Sequence, residues 1–189
     1  MRILGISGSP RFGGNSEILL EHAINPFVEA NWDVSRIHLS KMRIMPCIGC
    51  ESCLKNGYCH IDDDMKEIYA AFESCDAVII SSPTYWKNIP SQLKAVIDRT
   101  FAIWNRKPLV GKHGGVISVG RGVNGGQSIV QDVLFAYLRF CGVFCVSLDY
   151  DVTAIADAPG DILNQTDILE KARLLGNKIL DCSLARYIN

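Results

Sequence analysis

The chain has 189 residues, enough for one domain of ordinary size with a sizeable core, and 48% of them are hydrophobic. Its 19 Lys and Arg against 20 Asp and Glu leave a net charge of −1, which argues against a nucleic-acid binder. No apolar run approaches a membrane span, and the opening MRILGISGSP is broken by Gly and Pro too early for a signal peptide. The expectation is a cytoplasmic protein with reduced thiols and with neither nucleic-acid nor membrane partners.

RILGIS (2–7) is a short apolar run stopped by GSP, as in a buried parallel strand. Asn15 or Ser16 can cap a following helix, whose apolar face (Ile18, Leu19, Leu20, Ala23) continues to about residue 30. DVSRIHL (33–39) alternates loosely and reads as a strand nearer the sheet edge. Residues 40–61 form a long irregular insert, a feature that compact domains usually keep for function. DDDMKEIYAAFESC (62–75) reads as a helix with an acidic first turn, so Asp62, Asp63 and Asp64 need no metal to explain them. DAVIISS (76–82) is the clearest buried strand; the loop PTYWKNIP and a helix SQLKAVIDRTFAIW follow, with Asp98 and Arg99 expected in a structural ion pair or an interface contact. HGGVISVG (113–120) is a fourth strand, a Gly-rich loop leads to a helix over about 127–140, GVFCVSL (142–148) is a fifth strand, and an amphipathic helix over 167–184 closes the chain.

Strands alternating with helices predict an α/β fold, with a parallel sheet covered on both faces. Five strands in the doubly wound, flavodoxin-like order 2-1-3-4-5 put the ligand crevice between strands 1 and 3, in one domain spanning 1–189 with the Cys-rich loop after strand 2. Three loops then share the rim at the strands' C-terminal ends. GSPRFGGNS (8–16), with Ser7 just before it, offers Ser9, Arg11, Asn15, Ser16 and the N–H groups of a helix start, which are the parts of a phosphate site, although neither P-loop nor G-x-G-x-x-G spacing is present. SPTYW (82–86) brings Pro83 and Thr84 to the rim, with Tyr85 and Trp86 able to lie along a flat ring. SVGRGVNGGQS (118–128) adds Ser118, Gly120, Arg121, Gly122, Gly125 and Gly126, where backbone can approach a planar ligand closely. A phosphorylated planar cofactor fits the three loops jointly, and FMN fits best.

The insert carries CIGCESCLKNGYC, in which Cys47, Cys50, Cys53 and Cys59 stand at C-x2-C-x2-C-x5-C. A disulfide framework, a zinc site and an iron–sulfur cluster all use such thiols. Structural zinc usually takes two pairs a dozen or more residues apart, whereas consecutive C-x2-C steps wrap the corners of a cubane. The remaining cysteines, Cys75, Cys141, Cys145 and Cys182, sit in apolar stretches and read as core fillers; His22, His38 and His113 are scattered without an evident partner, and His60 reads as an exposed loop residue.

GSPRFGGNS, SPTYW and LKAVIDRTF together resemble the NAD(P)H-dependent FMN reductase superfamily of flavodoxin-like proteins, over nearly the whole chain. The cysteine motif resembles that of the archaeal-type iron–sulfur flavoproteins within it. The resemblance implies an oxidoreductase holding FMN and a [4Fe-4S] cluster on Cys47, Cys50, Cys53 and Cys59, with NAD(P)H as a possible co-substrate. It further implies electron exchange with a ferredoxin-like donor and a small-molecule acceptor, and assembly as a homodimer or homotetramer, in which a neighbouring subunit would cover Tyr85, Trp86 and a flavin between the rim loops. The alternatives are a cluster-free FMN or quinone reductase and an FMN carrier with a zinc-held docking loop.

Overall fold

The computed structural model describes residues 1–146 and 151–186. A parallel sheet runs through it in the order β2 (Asp33–His38), β1 (Arg2–Ser7), β3 (Ala77–Pro83), β4 (His113–Gly120), β5 (Phe144–Cys145), with β6 (Val152–Ile155) also paired to β4. This is the expected flavodoxin-like order. Its central strands are buried nearly throughout because both faces are covered. Leu4, Ile6, Val78, Ile80 and Val116 enter one core layer, while their neighbours Ile3, Ala77, Ile79, Ile117 and Val119 enter the other.

Helices α1 (Asn15–Glu29) and α6 (Thr166–Ala185) pack on the second of these faces; α3 (Met65–Ser74), α4 (Ser91–Arg99) and α5 (Gln127–Phe140) pack on the first, and a short α2 (Ser52–Asn56) lies within the insert. The chain thus leaves β1 through α1 toward the edge and returns through α3 to β3, so the loops diverge between β1 and β3. The helices α1 and α6 touch backbone to backbone: a Cβ on Gly176 would stand 2.0 Å from the Ala23 carbonyl oxygen.

The structure corrects several boundaries. The fifth strand position is filled by two pieces, β5 opposite His113 and Gly114 and β6 opposite Ile117–Gly120; Ser147 and Leu148 of the expected strand lie outside the described residues. Gly14, not Asn15 or Ser16, occupies the N-cap of α1, its carbonyl accepting from the Glu17 and Ile18 N–H groups. Helix α3 begins only at Met65, because Asp63 and Asp64 turn back to the insert, accepting from the Met45 N–H (2.8 Å) and the Arg43 N–H (2.7 Å). After Arg99 the expected helix tightens into a 3-10 segment, Thr100–Arg106.

Candidate functional site

Serines line the ends of the central strands. Ser7 lies opposite Ser81 and Ser82 lies opposite Ser118 in register, and the buried hydroxyls of Ser7 and Ser118 have no hydrogen-bond partner. Buried orphaned hydroxyls cost free energy unless something completes them. Beside them a cavity of about 310 Å³ is lined by Ser9, Arg11, Phe12, Gly14, Asn15 and Ser16 from the first loop, Pro83–Trp86 from the second, and Val119–Arg121 from the third.

The first loop is held from within and from outside. The Arg11 N–H donates to Ser9 Oγ (3.0 Å), the Gly13 N–H donates to Glu17 Oε2 (3.1 Å), and Ser81 Oγ donates to the Ser16 carbonyl (2.6 Å). Phe12 meets His38 edge-on at 5.5 Å and carries the Lys41 ammonium 3.5 Å above its ring. His38, which the sequence left without a partner, lies 3.3 Å from Glu17 Oε1. Arg11 is exposed and forms no ion pair among the described residues, while the N–H groups of Asn15 and Ser16, at the start of α1, have no acceptor inside the helix. A free guanidinium beside a helix N-terminus suits an anion.

Asn15 lines the cavity, and its amide is also engaged by a neighbouring segment. Its Nδ2 donates to the Ala158 carbonyl (2.8 Å), and its Oδ1 accepts from the Gly160 N–H (2.9 Å), so the amide holds the 156–162 segment against the crevice. That segment supplies Ala156, Asp157 and Pro159 to the cavity, residues that sequence reasoning missed. Asp157 pairs with Arg121 across the rim. Ser7, Ser118, Gly122, Gly125 and Gly126 do not line the cavity itself. Gly126, at φ +95°, serves packing, since a Cβ there would stand 2.5 Å from Lys87 Cα. It borders a second cavity of about 620 Å³ between the start of α5, β6 and α6.

In the second loop the Thr84 N–H donates to the Val119 carbonyl (2.8 Å), and Tyr85 and Asn88 exchange backbone hydrogen bonds at 2.7 and 3.0 Å. Trp86 and Lys87 take positive φ (48° and 59°), a costly conformation for side-chain-bearing residues. The result is a Trp86 indole standing fully in solvent, at 102% relative exposure.

No residue of the insert 40–61 is fully buried. Cys47 and Cys50 are exposed, Cys53 and Cys59 lean on the core, and none of the eight cysteines is bridged. Gly49 and Gly57 take the left-handed turns (φ 65° and 72°), the second closing α2. Among the described residues no group of three or more His, Cys, Asp or Glu side chains is gathered closely enough to hold a metal ion. His60 remains exposed, its Nδ1 3.4 Å from Cys50 Sγ and 3.2 Å from Ser52 Oγ. Elsewhere, burial pushes the thiols of Cys75, Cys141 and Cys145 up, as for inert packing groups, and Cys182 is half-buried on α6.

The root of the insert is ordered by a buried ion pair. Asp98 bonds to Lys94, and Arg99 instead reaches Asp63, both of their side chains being 1% exposed. Burial works against the Asp63 carboxylate, yet Arg99 and the Met45 and Met65 N–H groups hold its pKa below the ordinary value. Burial likewise opposes the Arg99 charge, and Asp63 and Cys59 outweigh it to hold the guanidinium's pKa above its usual range. Tyr69, buried beside them, donates to the Arg99 carbonyl (2.9 Å), and its phenol is pushed up to about 12, by burial first and then by Cys59.

A flavodoxin-like sheet with a crevice where its loops diverge defines a class of proteins that bind a ligand at the strands' C-terminal ends. The chain belongs to the NADPH-dependent FMN reductase family, whose model it matches over residues 1–153, and within it to the archaeal-type iron–sulfur flavoproteins. It is 34% identical to an iron–sulfur flavoprotein of Methanocaldococcus jannaschii, with 96% of each chain covered. An iron–sulfur flavoprotein of Archaeoglobus fulgidus is 36% identical, with 99% of this chain and 82% of that one covered. The NAD(P)H:quinone oxidoreductase of Methanothermobacter marburgensis shares the fold at a TM-score of 0.69, with 19% identity over 93% of this chain and 97% of that one. The protein is an FMN-dependent oxidoreductase. No helix among the described residues is long and apolar enough to cross a membrane.

Proposed function

We propose that this oxidoreductase passes electrons between a ferredoxin-like or NAD(P)H donor and a small-molecule acceptor, using FMN in the rim crevice and a [4Fe-4S] cluster on Cys47, Cys50, Cys53 and Cys59. The observation that carries the flavin half is the crevice, where exposed Arg11 stands beside the N-terminus of α1 with Ser9 and Ser16 in the same lining. Bound FMN supplies chemistry that accepts electrons singly or in pairs. The chain's own residues bind and orient it. Arg11, Ser9, Ser16 and the Asn15 and Ser16 N–H groups at the start of α1 take the phosphate, while residues 83–86 and 118–121 flank the ring.

The donor set fits the cluster: four unbridged thiols share one loop, and a buried guanidinium faces the sulfur of Cys59 at 3.6 Å. A second reading is an FMN or quinone reductase without a cluster. The visible spectrum and iron content of anaerobically purified protein decide between them. The first reading expects flavin bands, broad absorption near 400 nm and about four irons per chain. Flavin bands without iron would establish the second. A cytoplasmic location and assembly as a homodimer or homotetramer, with exposed Tyr85 and Trp86 covered by a neighbouring copy, complete the proposal. Light scattering that found a monomer at micromolar concentration would remove the assembly.

A further inference from the structure

Arg99 is a charged side chain enclosed at the end of α4, and its guanidinium meets the insert on both sides of the cysteine motif. Nη1 donates to the Met45 carbonyl (3.0 Å), two residues before Cys47, and bonds to Asp63. Nη2 donates to Cys59 Sγ (3.6 Å) and, more weakly, to the Ile61 carbonyl (3.4 Å), two residues after it. One planar fork therefore joins the two stems of the loop, a task that a lysine's single ammonium could not match. The Nε atom is buried and has no partner. This residue does not line the rim cavity.

We propose that Arg99 sets the redox poise of the cysteine loop, its N–H on Cys59 favouring the electron-rich state of a cluster held there, with Asp63 moderating that charge. The inference rests on the cluster reading above. A cluster with four thiolate ligands is anionic, and one added electron makes it more so. No bond forms or breaks in that step, and the electron comes from the external one-electron donor. Net charge and hydrogen bonds to the sulfurs are what set such potentials. A buried cation at one ligand sulfur stabilises the reduced form, and a carboxylate beside that cation partly offsets it. The two residues should therefore act with opposite sign. A purely structural ion pair would not behave in this way.

The test is a dithionite titration, followed by electron paramagnetic resonance, of anaerobically reconstituted wild type, Arg99→Gln and Asp63→Asn, with iron per chain measured on each. Arg99→Gln should disfavour cluster reduction about tenfold, or about 59 mV for one electron, and Asp63→Asn should favour it by a similar factor. The flavin potential should stay fixed in both. Iron-loaded variants with an unmoved cluster potential, or with shifts of the same sign, would overturn the proposal alone. A wild type that holds no iron after reconstitution would overturn the cluster reading and this proposal with it. Should Arg99→Gln fail to fold, Asp63→Asn decides: a raised potential supports the proposal, and an unchanged or lowered one overturns it.

Discussion

At the flavin crevice the polar groups stand on strand ends and on a helix N-terminus that the core already fixes, whereas residues 40–61 carry four thiols on a loop with no buried residue of its own. The crevice is preorganised by long-range backbone pairing, with Asn15, Glu17 and Ser81 tying the first loop to its neighbours. The insert is fixed chiefly at its root, where Arg99, Asp63 and Asp64 hold its stems and Cys53 and Cys59 lean on the core. The difference teaches how each part gets its order. One site forms with the fold; the other has its stems set by the fold and its tip left exposed.

The strongest way to break this contrast is to delete a thiol. Replacing Cys47, Cys50, Cys53 or Cys59 singly with Ala should abolish the iron or convert the cluster while FMN stays bound. The same change at Cys75, Cys141, Cys145 or Cys182 should leave iron unchanged. Iron per chain across the eight variants is the measurement, and equal loss in both groups would erase the distinction.

Next in size is the root. Arg99→Ala leaves the Asp63 carboxylate buried without its countercharge, which should cost roughly 3–5 kcal/mol in urea unfolding. Replacing both residues with apolar ones should recover most of that. A loss under about 1 kcal/mol would mean that the insert's root adds nothing to the fold.

At the crevice, Arg11→Ala should leave stability alone and weaken FMN by about ten- to a hundredfold, since a charge-assisted contact is worth roughly 1.5–3 kcal/mol. Fluorescence titration of the apoprotein reads it directly. An unchanged affinity would take the first loop out of the site.

The smallest effect is on pH. The folded-state pKa of Asp63 lies below its unfolded value, so its contribution is present above about pH 4 and is lost as pH falls through the folded value. Asp63→Asn should flatten that acid limb of the stability curve, and an unaltered limb would place the acid sensitivity elsewhere.

Strand order, the rim and the three loops were readable because they depend on local signals: apolar runs, Gly-rich turns and strand–helix alternation. The second half of the fifth strand position was not. Val152–Ile155 is four residues long, alternates buried and exposed, and owes its strand to pairing with β4. Asn15 reads as a phosphate contact from its type and position, but its bonds to Ala158 and Gly160 were not legible, since the segment that supplies them carries no recognisable motif. Arg99 and Asp63 are 36 positions apart, so only the folded chain could pair them and leave Asp98 to Lys94.

Gly176 gives the molecule an unexpected long lever. With only 2.0 Å between a would-be Cβ and the Ala23 oxygen, the midpoint of α1 rests directly on α6. Any side chain at 176 must pry the two helices apart, and α1 is the rod whose other end carries the first loop. A methyl group added at 176 would thus be felt at Arg11 as a displaced guanidinium. Mutational tolerance in this protein should accordingly be narrower at that remote spot than on most of the exposed cysteine loop.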